Sequence, residues 1–400
     1  MTTTLNPEIF TWARSTAGLS ADEAAHALGF NNTRDRSAAE RLKALEAGDE
    51  EPSRSVLLRM AKAYRRSLLV FYLPEPPRTG DRGQDFRTVP GALPPLFNPN
   101  LDALIRDVRG RQTIVRGLLD ETEPQPLNFI GAASMSDGTE NVADRITRRL
   151  NLSLAEFRRQ ATVEASFGYL REKIEAAGVY VLLLGNLGSH HSNISVDTFR
   201  GFAIADPIAP FIVINDQDAR PAWSFTALHE VAHLWLGTTG LSGASIEARI
   251  ERYCNDVAGE ILLPTVEIRT LANLRGAPLA SIIETVSTFA TVRRISRAMV
   301  AYKLLRADVI AEETWRQVAD HFRQEWNASR TREEEADTGS SGGPSYYVVK
   351  RHRLGNALLE TVRRSLGEGI LTHTKAARVL GVKPRNVDPL LLGNPAQGSR

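Results

Sequence analysis

SFTALHEVAHLWLG, residues 224–237, is the stretch on which the reading of this chain turns. It contains His229-Glu230-Val231-Ala232-His233, the H-E-x-x-H pattern. On a helix, residues four apart share one face, so both imidazoles can address a single Zn²⁺. Glu230 follows the first histidine, a place suited to taking a proton from water rather than to holding the metal. A chance match is the plain alternative. Phe225, Leu228, Val231, Ala232, Leu234, Trp235 and Leu236 argue against it: they make the helix mostly apolar. A histidine or glutamate buried in such a helix needs a strong partner.

Catalytic zinc usually takes three protein ligands and leaves one position open. Downstream, IEARIERYCNDVAGEILLP, residues 246–264, reads as a second helix, with apolar Ile246, Ile250, Val257, Ala258, Ile261 and Leu262 and with Pro264 beyond it. Glu251 is the favoured third ligand, and Glu247 and Glu260 are the competing carboxylates. Asn255 lies one turn after Glu251, where it would orient a metal-bound histidine through its other ring nitrogen. If no cation is bound, Glu251 is an ordinary surface residue paired with Arg249 or Arg252.

Three pieces carry a resemblance: FRGFAIADPIAPFIVIND (199–216), FTALHEVAHLWLG (225–237) and IERYCNDVAGEILLP (250–264). Together they resemble the ImmA/IrrE family of zinc metallo-endopeptidases, bacterial proteins that cut regulatory proteins, chiefly repressors. The resemblance implies a metal on His229, His233 and Glu251, with Glu230 as the catalytic base. It also implies a repressor or antitoxin-like protein substrate in a stress-response or toxin–antitoxin setting. Tyr253 and Cys254 depart from the family pattern, which has small or acidic residues there. No transition-state stabiliser is obvious; His190, His191 and Tyr253 are the candidates for that oxyanion role.

Phe211 to Ile214 reads as a short strand bounded by Pro210 and Asn215-Asp216, with further strands at Val179–Leu184 and Arg200–Ala205. A sheet edge beside the metal helix would let an extended substrate pair through its backbone.

At the N-terminus, Asn6-Pro7 starts a helix, and Ser20 with Glu23 forms a capping box for another. Five short helices are expected within residues 1–75. GLSADEAAHALG (18–29), ERLKALEAG (40–48) and PSRSVLLRMAKAY (52–64) resemble the helix-turn-helix of phage-repressor, Xre-type regulators. In such folds the helix after the turn enters the DNA major groove, which makes Arg34, Arg36, Arg41 and Lys43 the contacts. Two features pull against this: the turn is lengthened by FNNTRDRS (30–37), and residues 1–75 balance ten basic against ten acidic side chains. A protein-binding or dimerising module, giving a homodimer, is the other reading.

The rest of the chain completes the organisation. Residues 76–97, rich in Pro, Gly and charge, read as a linker and 98–330 as the peptidase domain. Residues 331–344 read as a flexible linker and 345–400 as a basic helical C-terminal domain. Residues 346–400 hold ten Lys/Arg against three Asp/Glu, and the Ala377, Gly381, Val387 spacing fits a helix-turn-helix. The expected fold class is multidomain and mostly α. It comprises an all-α helix-turn-helix, a central α+β zincin-like peptidase with a small sheet, and a small helical C-terminal domain.

The chain has 400 residues, a net charge of +2 and a single cysteine, Cys254. No intrachain disulfide can form, so a reducing, cytoplasmic setting is expected. Cys254 itself reads as a small buried hydrophobe. No apolar run is long enough to span a membrane, and no phosphate loop or dinucleotide fingerprint is present. Two functions compete: a zinc endopeptidase coupled to a regulator, or a DNA-binding regulator or antitoxin whose peptidase fold serves as a sensor scaffold. DNA, if bound, is expected at the N-terminal domain.

Overall fold

The computed structural model describes residues 5–77, 98–121, 124–188, 192–237, 244–337 and 345–392. Eighteen α-helices and three short strands lie among them. The chain divides into two compact units. One comprises Met1–Arg82, Pro90–Asp107 and Asn186–Asn193, and the other Gly83–Val89, Val108–Gly185 and Ile194–Arg400.

The first unit is built on α1 (Pro7–Thr16), α2 (Ala21–Ala27), α3 (Ala38–Ala47) and α4 (Arg54–Ala63), followed by a 3-10 turn, Leu68–Tyr72. Its helix starts are written in polar side chains that accept from otherwise unpaired amides. The Asn6 side chain accepts from Glu8 N, and both Ser20/Glu23 and Ser37/Glu40 form reciprocal capping boxes. Phe10, Leu28, Leu42, Met60, Tyr64 and Phe71 fill the core. The fifth expected helix is this 3-10 turn. The α2–α3 connection runs from Leu28 to Ser37, so the lengthened turn is real.

The helix α5 (Pro99–Asp120) crosses the boundary between units, and Asn98 caps it by accepting from the amides of Asn100 and Leu101. The second unit continues with α6 (Thr139–Leu150), α7 (Leu154–Arg159) and α8 (Val163–Ala176). Strands β1 (Tyr180–Leu183), β2 (Gly201–Ile204) and β3 (Phe211–Ile214) then form a sheet in the order β1-β3-β2. β1 runs parallel to β3, with Tyr180 opposite Phe211; β2 runs antiparallel, with Gly201 opposite Ile214. β1 and β3 are buried at every position, as apolar runs of Val, Ile and Leu require.

Against this sheet lies α9 (Arg220–Leu236), and α10 (Ala244–Leu262) packs on α9 and α6; then come α11 (Thr265–Ile268), α12 (Leu279–Arg293), α13 (Arg297–Arg306) and α14 (Glu312–Asp337). One apolar core joins α6, α8, the sheet, α9, α10 and α12–α14. The helix α14 runs through residues 331–337, which composition assigns to a linker. Its Glu, Arg and Ala residues are strong helix formers and carry the helix on until the Gly/Ser run approaches. Residues 338–344 lie outside the described residues, as do 78–97 of the other expected linker.

The C-terminal helices are α15 (Tyr346–Leu354), α16 (Asn356–Gly367), α17 (His373–Leu380) and α18 (Val387–Leu392). They belong to the second unit: α15 and α16 pack on β1, and α16 packs on α8. A buried ion pair on α8 makes the joint. The Arg171 guanidinium pairs with Glu175 at 3.1 Å and donates to the main-chain oxygens of Val181, His352 and Arg353. Glu175 accepts from the amides of Asn356 and Ala357, at the start of α16. Gly355 separates α15 from α16 with φ +79°, and a Cβ there would lie 2.1 Å from Glu175 Oε1. No helix among the described residues is long and apolar enough to cross a membrane.

Candidate metal centre

Thirteen consecutive residues of α9, Trp223 to Trp235, are buried, and the H-E-x-x-H residues lie among them. The helix is held at both ends. Near its start, Trp223 Nε1 donates to Asp218 O. At its end, Gly237 adopts the left-handed conformation, φ +60°, and the amides of Gly131 and Ala133 donate to Leu234 O and Trp235 O. That backbone approach is so close that a Cβ on Gly237 would lie 2.6 Å from Gly131 Cα. The Trp235 ring stacks on Phe129 at 5.7 Å, which completes the anchor.

Four-residue spacing does what helix geometry dictates. The Nε2 atoms of His229 and His233 lie 2.9 Å apart, with both rings essentially buried. The Glu251 carboxylate reaches across from α10, with Oε2 3.3 Å from His229 Nε2 and Oε1 3.2 Å from His233 Nε2. Among the described residues these three side chains form a group able to hold a metal ion. Donor atoms on a tetrahedron about 2.0–2.1 Å from zinc lie roughly 3.3–3.4 Å apart, so the two histidine–glutamate separations fit that ion. Two imidazoles and a carboxylate also match its preference for nitrogen and oxygen ligands. Burial alone would raise the Glu251 carboxyl. The charge and hydrogen bond of His229, with those of His233, outweigh it and hold the group well below the usual carboxylate range. A carboxylate ligand binds a metal in its ionised form.

Glu230 is buried on the side of α9 that meets β2. The sheet accommodates it through a missing side chain. A Cβ on Gly201 would lie 2.7 Å from Glu230 Oε1 and 2.6 Å from Thr226 Cγ2. Sequence reading did not single out Gly201; the only available signal was a glycine opening a strand.

The remaining nominated residues separate clearly. Asn255 lies one turn after Glu251, and its Oδ1 is buried without a hydrogen-bond partner among the described residues. Tyr253 is two residues from Glu251, which turns it to the opposite face of α10. Its hydroxyl is spent on Gly138 O at 3.1 Å and Ser134 O at 3.4 Å, so the structure does not bring it into an oxyanion role. His190, His191 and the Glu247 side chain lie outside the described residues. Glu260 is withdrawn from the competition, because Lys303 Nζ holds it at 2.6 Å and Thr265 N at 2.9 Å. Cys254 is fully buried, a packing residue.

In the first unit, Arg34 and Arg36 precede α3, while Arg41 and Lys43 lie on it. Two of the four are already engaged. Arg36 pairs with Glu50, and the Arg41 guanidinium lies 5.0 Å from the centroid of the Phe30 ring.

Residues 175–305 match the family model Peptidase_M78, the IrrE N-terminal-like domain. This IrrE-like segment holds the whole sheet, α9 and α10 and reaches into α13. It points to a metallopeptidase-type hydrolase, for which a metal cofactor is the natural companion. The helices of the first unit and α15–α18 lie outside it. No curated protein and no solved structure matches the chain.

Proposed function

We propose that the chain is a zinc-dependent endopeptidase, with His229, His233 and Glu251 holding the ion and Glu230 as general base. The observation that carries this reading is the meeting of two imidazoles and one carboxylate, with the buried carboxylate of Glu230 on the helix that carries both imidazoles. Zinc bound there would acidify a water and polarise a carbonyl. Glu230 takes the proton of the attacking water and returns it to the departing amine, the work of a base that does not itself bind the ion. Its pocket against Gly201 keeps the carboxylate from swinging out of reach.

Substrate enters as an extended strand. With β3 in the middle of the sheet and α15 and α16 packed on β1, the outer edge of β2 is the one left for pairing. Asn215 N donates to Arg200 O, and strand alternation then turns the main-chain groups of Gly201 and Ala203 outward. An added strand would pair there, next to Glu230. Recognition of this kind reads main chain, which suits a repressor or antitoxin-like protein cut within an exposed segment. The four helices of the first unit supply the regulatory module, with Arg34, Arg36, Arg41 and Lys43 as its nucleic-acid contacts.

Metal analysis and a cleavage assay test the proposal together. Wild type is expected to carry zinc and His229→Ala to lose it. Glu230→Gln should keep the ion while cleavage of a co-expressed repressor falls by about 10²–10⁴-fold. Undiminished function in Glu230→Gln would instead favour the regulator whose peptidase fold is a scaffold.

A further inference from the structure

The overall charge of +2 hides a division. Residues 346–400 carry ten Lys/Arg against three Asp/Glu, which leaves 39 against 44 for the rest of the chain. The chain is thus a mildly acidic body with one strongly basic end, and a polyanion is the partner that such an end selects.

The structure shows how this charge is displayed. Ala376, Ala377, Val379 and Leu380 turn inward from α17, while Lys375 and Arg378, three residues apart on one face, stay exposed. Gly381 then ends the helix in the left-handed conformation, φ +62°. The chain turns through exposed Lys383 into a 3-10 turn, Pro384–Asn386, that presents Arg385. None of these four cations forms an ion pair among the described residues. Their neighbours Arg353 and Arg363 do, with Asp216 and Glu360, and His373 Nε2 lies 3.0 Å from Asp388 Oδ1.

We propose that this face of the C-terminal helices, Lys375, Arg378, Lys383 and Arg385, binds the phosphate backbone of duplex DNA. Single strands are a poorer match. Their binding relies on rows of aromatic platforms, and the C-terminal helices carry only two aromatic side chains, Tyr346 and Tyr347, both at the start of α15. Base reading is also disfavoured, because α18 has only six residues and exposes Asp388 and Pro389 where a groove-reading helix would place donors. Binding is therefore independent of sequence and strongly dependent on salt. It is also separate from the metal centre.

Fluorescence anisotropy of the full chain with a labelled duplex of arbitrary sequence, about 30 base pairs long, tests this over roughly 50–200 mM salt. Wild type is expected to bind with a log–log salt slope of about −3 to −4, near −0.9 for each of four phosphates. The variant K375E/R378E/K383E/R385E should bind at least about tenfold more weakly, with a much shallower slope. If it folds poorly, K375Q/K383Q should still flatten the slope by about 2. Glu230→Gln should bind like wild type. The proposal fails if wild type does not bind the duplex or if the C-terminal variants bind it unchanged. Adherence to phosphatidylserine vesicles without duplex binding would assign the face to a membrane surface and overturn it as well.

Discussion

Gly201 is a residue whose importance lies in what it lacks. With Glu230 Oε1 and Thr226 Cγ2 both inside 3 Å of a would-be Cβ, Gly201→Ala must push α9 away from β2 or turn the carboxylate aside. Overpacking of this kind costs about 1–3 kcal/mol, and here much of it falls on the base. The expected result is a fall in kcat with zinc content close to wild type, since the atoms nearest the added Cβ belong to Thr226 and Glu230 and not to His229, His233 or Glu251. Loss of the ion along with activity would show a general collapse instead. At this scale the metal group was legible in the sequence, because i, i+4 spacing is a property of one helix and needs no knowledge of its surroundings. Glu251 was legible less directly, as one of three glutamates on α10. What separated them is tertiary: Lys303, 43 residues beyond Glu260, claims that carboxylate, and no local pattern announces it. Gly201 was invisible for the same reason, since its constraint comes from a helix that packs on it from later in the chain.

At the scale of elements, α10 is fixed where it ends by two carboxylates. Glu260 is held by Lys303 and Thr265, and Glu267 on α11 by Arg158 and Arg293. Burial raises both groups, but these cations and hydrogen-bond donors prevail and depress them below the ordinary value of 4.5. A depressed folded value means that the stabilisation is present above the ordinary carboxylate range and is lost as pH falls through the folded value. Thermal melting of the metal-free protein should therefore hold steady from neutrality to about pH 5 and decline below it. The double variant Glu260→Gln/Glu267→Gln should start lower and show a shallower acid decline; an unchanged acid limb would refute the assignment. Helix starts were easily read, since Asn6 and the Ser20/Glu23 box act within a few residues. Helix ends were harder. The charged run 331–337 looks like a linker by composition, yet it is also good helix-forming sequence, and α14 simply continues through it.

At the scale of the whole molecule, the C-terminal helices are fastened to α8 and β1 through Arg171 and Glu175, side chains only 8% and 7% exposed. Sequence reading treated residues 345–400 as a separate domain, because an arginine and a glutamate four apart on α8 look like any surface pair. Their carbonyl and amide partners lie about 180 residues further on. Arg171→Met would strand Glu175 as a buried charge, at a cost of about 3–5 kcal/mol. Melting should drop accordingly, and α15–α18 should become sensitive to limited proteolysis before the rest of the unit; the paired change with Glu175→Leu should recover much of the loss. Equal resistance of wild type and Arg171→Met would show that the joint lies elsewhere. Cys254 offers a different view of the same body. It is the sole thiol, wholly enclosed and three residues from Glu251 on one helix. An alkylating reagent can reach it only when that helix lifts, so the labelling rate is a built-in clock for opening of the wall that carries the third ligand, and cation binding should slow it.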